Sequence, residues 1–287
     1  MARGQTATEP AKGETVLPRL PFASYHGRTV RMAELADVAL AEISYAPQLC
    51  LPAHAHEHAI FCFGIDGSCT ERVRGGERTL EPSTFRYHPP GEVHADLVHD
   101  AGWRIFAIQF RAAELARFRD ADVVLDEAKW LRDVRLCGIG RRLYREFLLM
   151  DSASPLAIEG LLIEAGLAAA RRGPGFREQR LPSWLARADE LLRTRFHAPV
   201  AMGELAREVG VHPVHLARVF HVKFGRTMGD YVRELRVDFA CRQMRATALP
   251  LGTIAAASGF ADQSHFCRTF KRVFGMTPTE YRTLTRD

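Results

Sequence analysis

Apolar and polar positions come in short blocks through the first third of the chain, then take up helical spacing that is interrupted once, at residues 171–182. Within residues 21–111, the runs "HAIFCFGI", "TFRYHPPG" and "WRIFAIQF" are rich in Phe, Ile and Val and bounded by Gly, Pro and Asp, which predicts β-strands. Gly75-Gly76 in "RGGERTL" marks a tight hairpin. Many short strands with turn signals between them predict a sandwich or barrel. Over residues 112–172 the period becomes helical. "CGIGRRLYREFLLMD" places Ile139, Leu143, Phe147 and Met150 on one face, and "SPLAIEGLLIEAGLAAARR" repeats the pattern more weakly. "RRGPGFREQRLP" then breaks the periodicity with Gly, Pro and charge, predicting a linker over 173–183. The remainder, 184–287, is expected to be all-helical.

That last segment contains an internal repeat. "LAREVGVHPVHLARVFHVKFGRTMGDYVR" starts at Leu205 and "IAAASGFADQSHFCRTFKRVFGMTPTEYR" at Ile254. Ala206 and Gly210 match Ala255 and Gly259 at an offset of 49. His215, Arg218, Phe220, Phe224, Gly225, Thr227 and Tyr231 match His265, Arg268, Phe270, Phe274, Gly275, Thr277 and Tyr281 at an offset of 50. Each copy predicts helix, tight turn, helix, with Gly210 or Gly259 where the chain leaves a helix. The second helix buries Leu216 and Phe220, or Phe266 and Phe270, at a spacing of four. This is a helix-turn-helix, whose second helix can enter a DNA major groove. Between the copies, Met228, Val232, Leu235 and Phe239 predict one apolar face of a connecting helix. A connector of twenty residues would span about 30 Å, close to the ~34 Å between successive major-groove faces on one side of B-DNA.

Charge supports this placement. The 287-residue chain carries a formal +5, but residues 180–287 hold 17 Lys+Arg against 10 Asp+Glu, while the preceding 179 hold 22 against 24. Positive charge therefore gathers beside the repeat, as expected where a chain meets a polyanion. The six cysteines show neither CxxC nor a disulfide framework, the reading of reduced thiols in a cytoplasmic protein. No window is long and apolar enough to cross a membrane. Residues 1–20 lack an apolar h-region, and a short disordered tail is expected there.

On "LAREVG", "HLARVF", "QSHFCRTFKRVFG" and the closing "TPTEYR", residues 184–287 resemble the DNA-binding domain of the AraC/XylS family of bacterial transcription regulators. The resemblance implies that Val214, Ala217 and Arg218 face DNA from the first recognition helix, and Gln263, Ser264, Cys267 and Arg268 from the second. Arg218 and Arg268 can donate bidentately to guanine, and Gln263 can pair with adenine; the alternative for either arginine is a phosphate contact or a solvated charge. Val214 and Ala217 suit thymine methyls, or a helix that mainly positions the protein. Lys223, Arg226, Lys271 and Arg272 are assigned to phosphates.

In the β-rich part, "LPAHAHEHAIFCFGIDG" puts His54, His56 and His58 at alternate positions, and "PPGEVH" ends in His94. These segments resemble the two motifs of the cupin barrel, H-x-H followed by P-x-G-x-x-H. The glutamate that metal-binding cupins carry would fall on Ile60 or Phe61, so that ligand is missing. His54, His56 and His94 can still hold a transition ion; the alternative is a polar wall that bonds backbone or effector, and no metal is required. Together with His58, Phe61, Phe63, Phe85 and Tyr87, these histidines are expected to line an effector pocket.

The expected protein is multidomain α+β: a cupin-like barrel over 21–111, a helical dimerisation segment over 112–172, and a tandem helix-turn-helix domain after the linker. Its expected partners are double-stranded DNA, a small-molecule effector, a second copy, and RNA polymerase if it activates. Leu143, Phe147 and Met150, with Leu161 and Leu162, are assigned to the homodimer interface; the alternative is that they cover the barrel. A rival reading is a metal-dependent cupin enzyme with a vestigial DNA-binding domain. A third is a constitutive DNA binder.

Overall fold

A computed structural model of the chain describes residues 17–74, 76–120, 129–131, 134–170 and 181–286. The expected tail up to residue 16, Gly75 of the expected hairpin, and residues 173–180 of the expected linker lie outside them. The end of the tail is not loose. Arg19–Leu20 forms β1, parallel to β4 (Cys50–His56), with Leu20 opposite His56.

The other strands are β2 (Arg28–Leu35), β3 (Val38–Tyr45), β5 (Ala59–Val73), β6 (Gly76–Leu80), β7 (Phe85–His88), β8 (His94–Phe110) and β9 (Lys129–Leu131). All nine belong to one curled sheet, a half-barrel, organised on the long pair β5 and β8. Register shifts at Gly64/Asp66 and Gly67/Cys69 let β5 bend along β8. The hairpin expected at "RGGERTL" forms, with Val73 opposite Gly76.

Strand alternation gives the sheet two apolar faces. The concave face gathers Ala41, Ile43, Ile60, Cys69, Leu80, Val98, Trp103, Ile105 and Ala107. The opposite face, with Phe61, Phe63, Phe85, Tyr87, Phe106 and Phe110, is covered by α2 (Val134–Leu149) and α3 (Ser154–Ala170), which follow α1 (Ala112–Asp120). A Cβ on Gly140 would sit 2.6 Å from Phe85 and 2.7 Å from Phe63, so α2 can approach the sheet this closely only with glycine there. Leu143 and Phe147 are fully buried in this layer, and Leu161 and Leu162 nearly so. Those four are buried within their own chain, Leu143 and Phe147 in the layer against the sheet, and are withdrawn from any dimer interface. Met150, just past α2, remains 37% exposed.

The helical part comprises α4 (Ser183–Arg195), α5 (Met202–Glu208), α6 (Pro213–Phe224), α7 (Met228–Ala246), α8 (Leu251–Ala257), α9 (Gln263–Phe274) and α10 (Pro278–Thr285). Its two halves bury their apolar residues differently. Leu191, Leu205, Leu216, Phe220 and Tyr231 form a separate core with α4. Ile254, Phe266, Phe270, Phe274 and Tyr281 instead join the core between α2 and the sheet. The connector α7 serves both: Met228, Tyr231 and Val232 pack into the first, and Val237, Ala240, Cys241 and Met244 into the second. Leu235 and Phe239, expected on its apolar face, are half-buried.

Candidate functional site

Two places carry chemistry: the outer faces of α6 and α9, and a cavity on the concave side of the sheet. The repeat builds α6 and α9 alike. His212 caps α6 by accepting from the Val214 amide, and Asp262 caps α9 by accepting from the His265 amide at 2.6 Å. Both helices end on a glycine in the left-handed region, Gly225 at φ 68° and Gly275 at φ 78°. Leu216, Phe220, Phe266 and Phe270 are buried to 0% exposure, which fixes the opposite faces outward.

On α6 the outward residues include Val214, Ala217 and Arg218, as expected from the sequence. Val222, 73% exposed, extends the Val214–Arg218 row by one more turn; its spacing of four from Arg218 was the available signal. On α9, Gln263, Ser264 and Arg268 are exposed, as are Lys271 and Arg272, while Cys267 is half-buried and packs against the core. Arg268 and Arg272 line, with Arg233 of α7, His265 and Thr269, a recess of about 430 Å³. Arg233 was missed because the connector reads from sequence as a spacer.

Arg226 departs from its assignment. Its side chain is 10% exposed and paired with Glu234 of α7, so it is taken up inside the protein rather than offered to phosphate. Lys223 is half-buried on α6.

In the sheet, the cavity of about 40 Å³ is lined by His54, His56, His88 and His94 with Glu71, Cys62, Cys69, Asp96 and apolar neighbours. The expected effector-pocket residues Phe61, Phe63, Phe85 and Tyr87 lie on the other face. They alternate with the cavity-lining Ile60, Cys62, Arg86 and His88, and the period of two sends them into the core against α2. His58 follows β4 in a turn and stacks edge-on against Phe22, outside the cavity. His88 and Glu71, which sequence reasoning passed over, are buried beside His94.

Burial sets the protonation of this lining. It lowers the pKa of His54, His88 and His94, and brings that of His56 to about 3, with neighbouring imidazoles adding to the effect. The Cys62 and Cys69 thiols are pushed up by the same burial, and the Asp96 carboxyl to about 7.

A curled sheet enclosing a cavity, followed by two capped helix-turn-helix units on one connector, defines a transcription regulator with a ligand-binding part and a DNA-binding part. The chain belongs to the AraC/XylS family. Residues 35–166 match the model described as an AraC-like ligand binding domain, and residues 205–283 a helix-turn-helix domain. Regulatory protein SoxS of Escherichia coli (strain K12) is 34% identical over 84 residues, which are 29% of this chain and 78% of SoxS. HTH-type transcriptional regulator GlxA of Rhizobium meliloti (strain 1021) is 37% identical over 93 residues, 32% of this chain and 29% of the length of GlxA. Among solved structures, ToxT from Vibrio cholerae O395 aligns with 88% of this chain and 99% of its own, at 10% identity and a TM-score of 0.39.

Proposed function

We propose that the protein reads a specific double-stranded DNA site with α6 and α9 together, and that a ligand held in the sheet cavity sets how well it does so. The observation that carries this reading is the pair of exposed, individually capped helix faces on one connector. The 19 residues of α7 span about 28 Å, near the ~34 Å between major-groove faces on one side of the duplex. In this reading Arg218, Gln263, Ser264 and Arg268 contact bases, and Arg233, Lys271 and Arg272 contact phosphates.

The cavity of about 40 Å³ is small beside the roughly 300–1,000 Å³ of pockets for organic molecules, so the ligand of this reading is small or opens the cavity as it binds. Dimerisation in this reading uses the outer face of α3, where Leu156 is 76% and Ile163 44% exposed, two turns apart, with Gly160 between them. Contact with RNA polymerase belongs to the activating version of this function.

Selection of sites from random duplexes by the full chain, followed by titration at rising salt, tests the reading. A two-part motif with half-sites about one turn apart is expected, with affinity that falls steeply with salt through counterion release. Binding without base preference would overturn it. Leu156→Glu with Ile163→Glu should give a folded monomer by sedimentation; a folded dimer would remove α3 from the interface.

A further inference from the structure

The repeat builds α6 and α9 on one plan, so a difference between matching outward positions is a difference in use. At the offset of 50, Val214, Arg218 and Val222 of α6 match Ser264, Arg268 and Arg272 of α9. Each set is spaced by four and forms one exposed row. His221 likewise matches Lys271. The central arginine is common to both rows. The residues around it are polar or cationic on α9 and apolar on α6.

Val214 is 69% and Val222 73% exposed, while Leu216, Phe220 and Phe224 bury the opposite arc of the same helix. A single exposed valine is ordinary surface. Two on the row that carries Arg218 make an apolar strip on the face turned away from the core. In the major groove, the apolar group offered by the base edges is the C5-methyl of thymine. A helical valine is held in essentially one rotamer, so little freedom is lost when it packs there. Val214 stands in the first turn of α6, the end of a recognition helix that meets base edges. It precedes Arg218 by about 6 Å of helix rise, which is about two base pairs at ~3.4 Å each. Ala217, exposed beside Arg218, adds one methyl.

The cations are divided the other way. On α6, Arg218 is exposed and Lys223 half-buried, and Arg226 in the following turn is paired with Glu234. On α9, Arg268, Lys271 and Arg272 are all exposed. The recess that Arg268 and Arg272 share with Arg233 is completed by His265 and Thr269, with no carboxylate among these lining residues. Arg233 donates to Asp230 at 2.7 Å, and its Nε is buried without a hydrogen-bond partner among the described residues. Three arginines around such a recess suit a phosphate. Where α9 places Arg272, α6 has Val222.

We propose that the two recognition helices divide the work. Helix α6 reads thymine by its C5-methyl, through Val214 with Ala217 beside it, and takes little hold on phosphate because Val222 occupies the place of a cation. Helix α9, with Arg233, supplies the phosphate hold. The α6 half-site then carries a thymine about two base pairs from the guanine of Arg218. This rests on the reading, given under Proposed function, that α6 and α9 together bind one duplex.

The full chain is bound to duplexes obtained by selection, and the half-site that loses its preference in Arg218→Ala is the one read by α6. Deoxyuridine in place of each thymidine there removes the methyl and nothing else. One such position should weaken binding about fourfold, equivalent to the ~0.8 kcal/mol of one buried methylene. Val214→Ala should weaken the thymine duplex by about the same factor and make that deoxyuridine substitution silent. Val222→Arg should tighten binding to every sequence and steepen the slope of log affinity against log salt by about 0.9, one phosphate's share. Both valines are exposed, and circular dichroism checks that the variants fold. Four results would each overturn the proposal: an α6 half-site without thymine, deoxyuridine that leaves wild-type affinity unchanged, a deoxyuridine effect that survives in Val214→Ala, or an unmoved salt slope in Val222→Arg. A two-part motif with a methyl-insensitive α6 half leaves the DNA reading standing and overturns the division of work alone. Selection that returns no motif overturns both.

Discussion

Arg268 and Lys271 are both exposed on α9, one turn apart, yet they are expected to fail differently when cut back. Arg268 has the planar fork that matches guanine O6 and N7, and Arg268→Ala should cost about 1–3 kcal/mol and relax preference at one base pair. Lys271→Ala should weaken all sequences about equally and lower the salt slope by about one. Site selection with each variant separates the two; equal weakening of every site by Arg268→Ala would place that arginine on phosphate. Phe270→Ala removes a fully buried anchor and should lower unfolding free energy by about 3–5 kcal/mol in urea. These outward and inward roles were legible in the sequence because a spacing of four fixes the buried arc of a helix, and the rest follows. The sheet was harder. The motif spacing found His54, His56 and His94, but whether Phe61 or its neighbour Ile60 faces the cavity turns on strand register, which composition does not encode. Arg226 was misplaced for a related reason, since its partner Glu234 lies two turns into the next helix.

At the scale of elements, the matching Thr227 and Thr277 of the repeat cap the starts of α7 and α10. Thr227 accepts from the Asp230 amide, and its counterpart Thr277 accepts from the Glu280 amide and completes a capping box with the Glu280 side chain. Thr277→Ala should therefore cost about 0.5–2 kcal/mol of stability, measurable as a lower urea midpoint with unchanged slope. The amphipathic face of α2 was equally visible, but its partner was not. An apolar stripe on a helix says that something covers it, and here the cover is the sheet of the same chain. Charged substitution at Leu143 or Phe147 is thus expected to unfold the protein rather than release a folded monomer. Soluble, folded Phe147→Asp protein would contradict the fully buried position given to it.

Across the whole molecule, the sheet touches the two helix-turn-helix units unequally. Phe274 stacks edge-on against Tyr144 of α2, so the second unit shares its core with the ligand-binding part, whereas the first keeps a core with α4. Arg141 of α2, 5% exposed, ties this junction together: it donates to Ser83 beside β7 at 2.8 Å, to Glu234 at 3.0 Å and to Asp238 at 3.3 Å, the last two on α7. Asp66 of β5 adds a second tie, to Arg245 of α7 at 2.9 Å. Strand β7 itself carries His88 on the cavity side and Phe85 and Tyr87 on the side facing the helices. A change at the cavity therefore has a packed route through β7 and α2 to α7 and α9. Intermediacy alone does not make it a coupling path, and a variant must show that the elements respond together. Removing one partner of a buried ion pair costs about 3–5 kcal/mol, because the remaining charges stay buried and underpaired. In full-length Arg141→Ala, hydrogen exchange should accelerate in the second half of α7 and in α9. The amides of α5 and α6 should keep their wild-type protection, since their core has no member from α2. Equal acceleration in both units would mean that the two halves open as one, and that the ligand-binding part acts on both recognition helices at once.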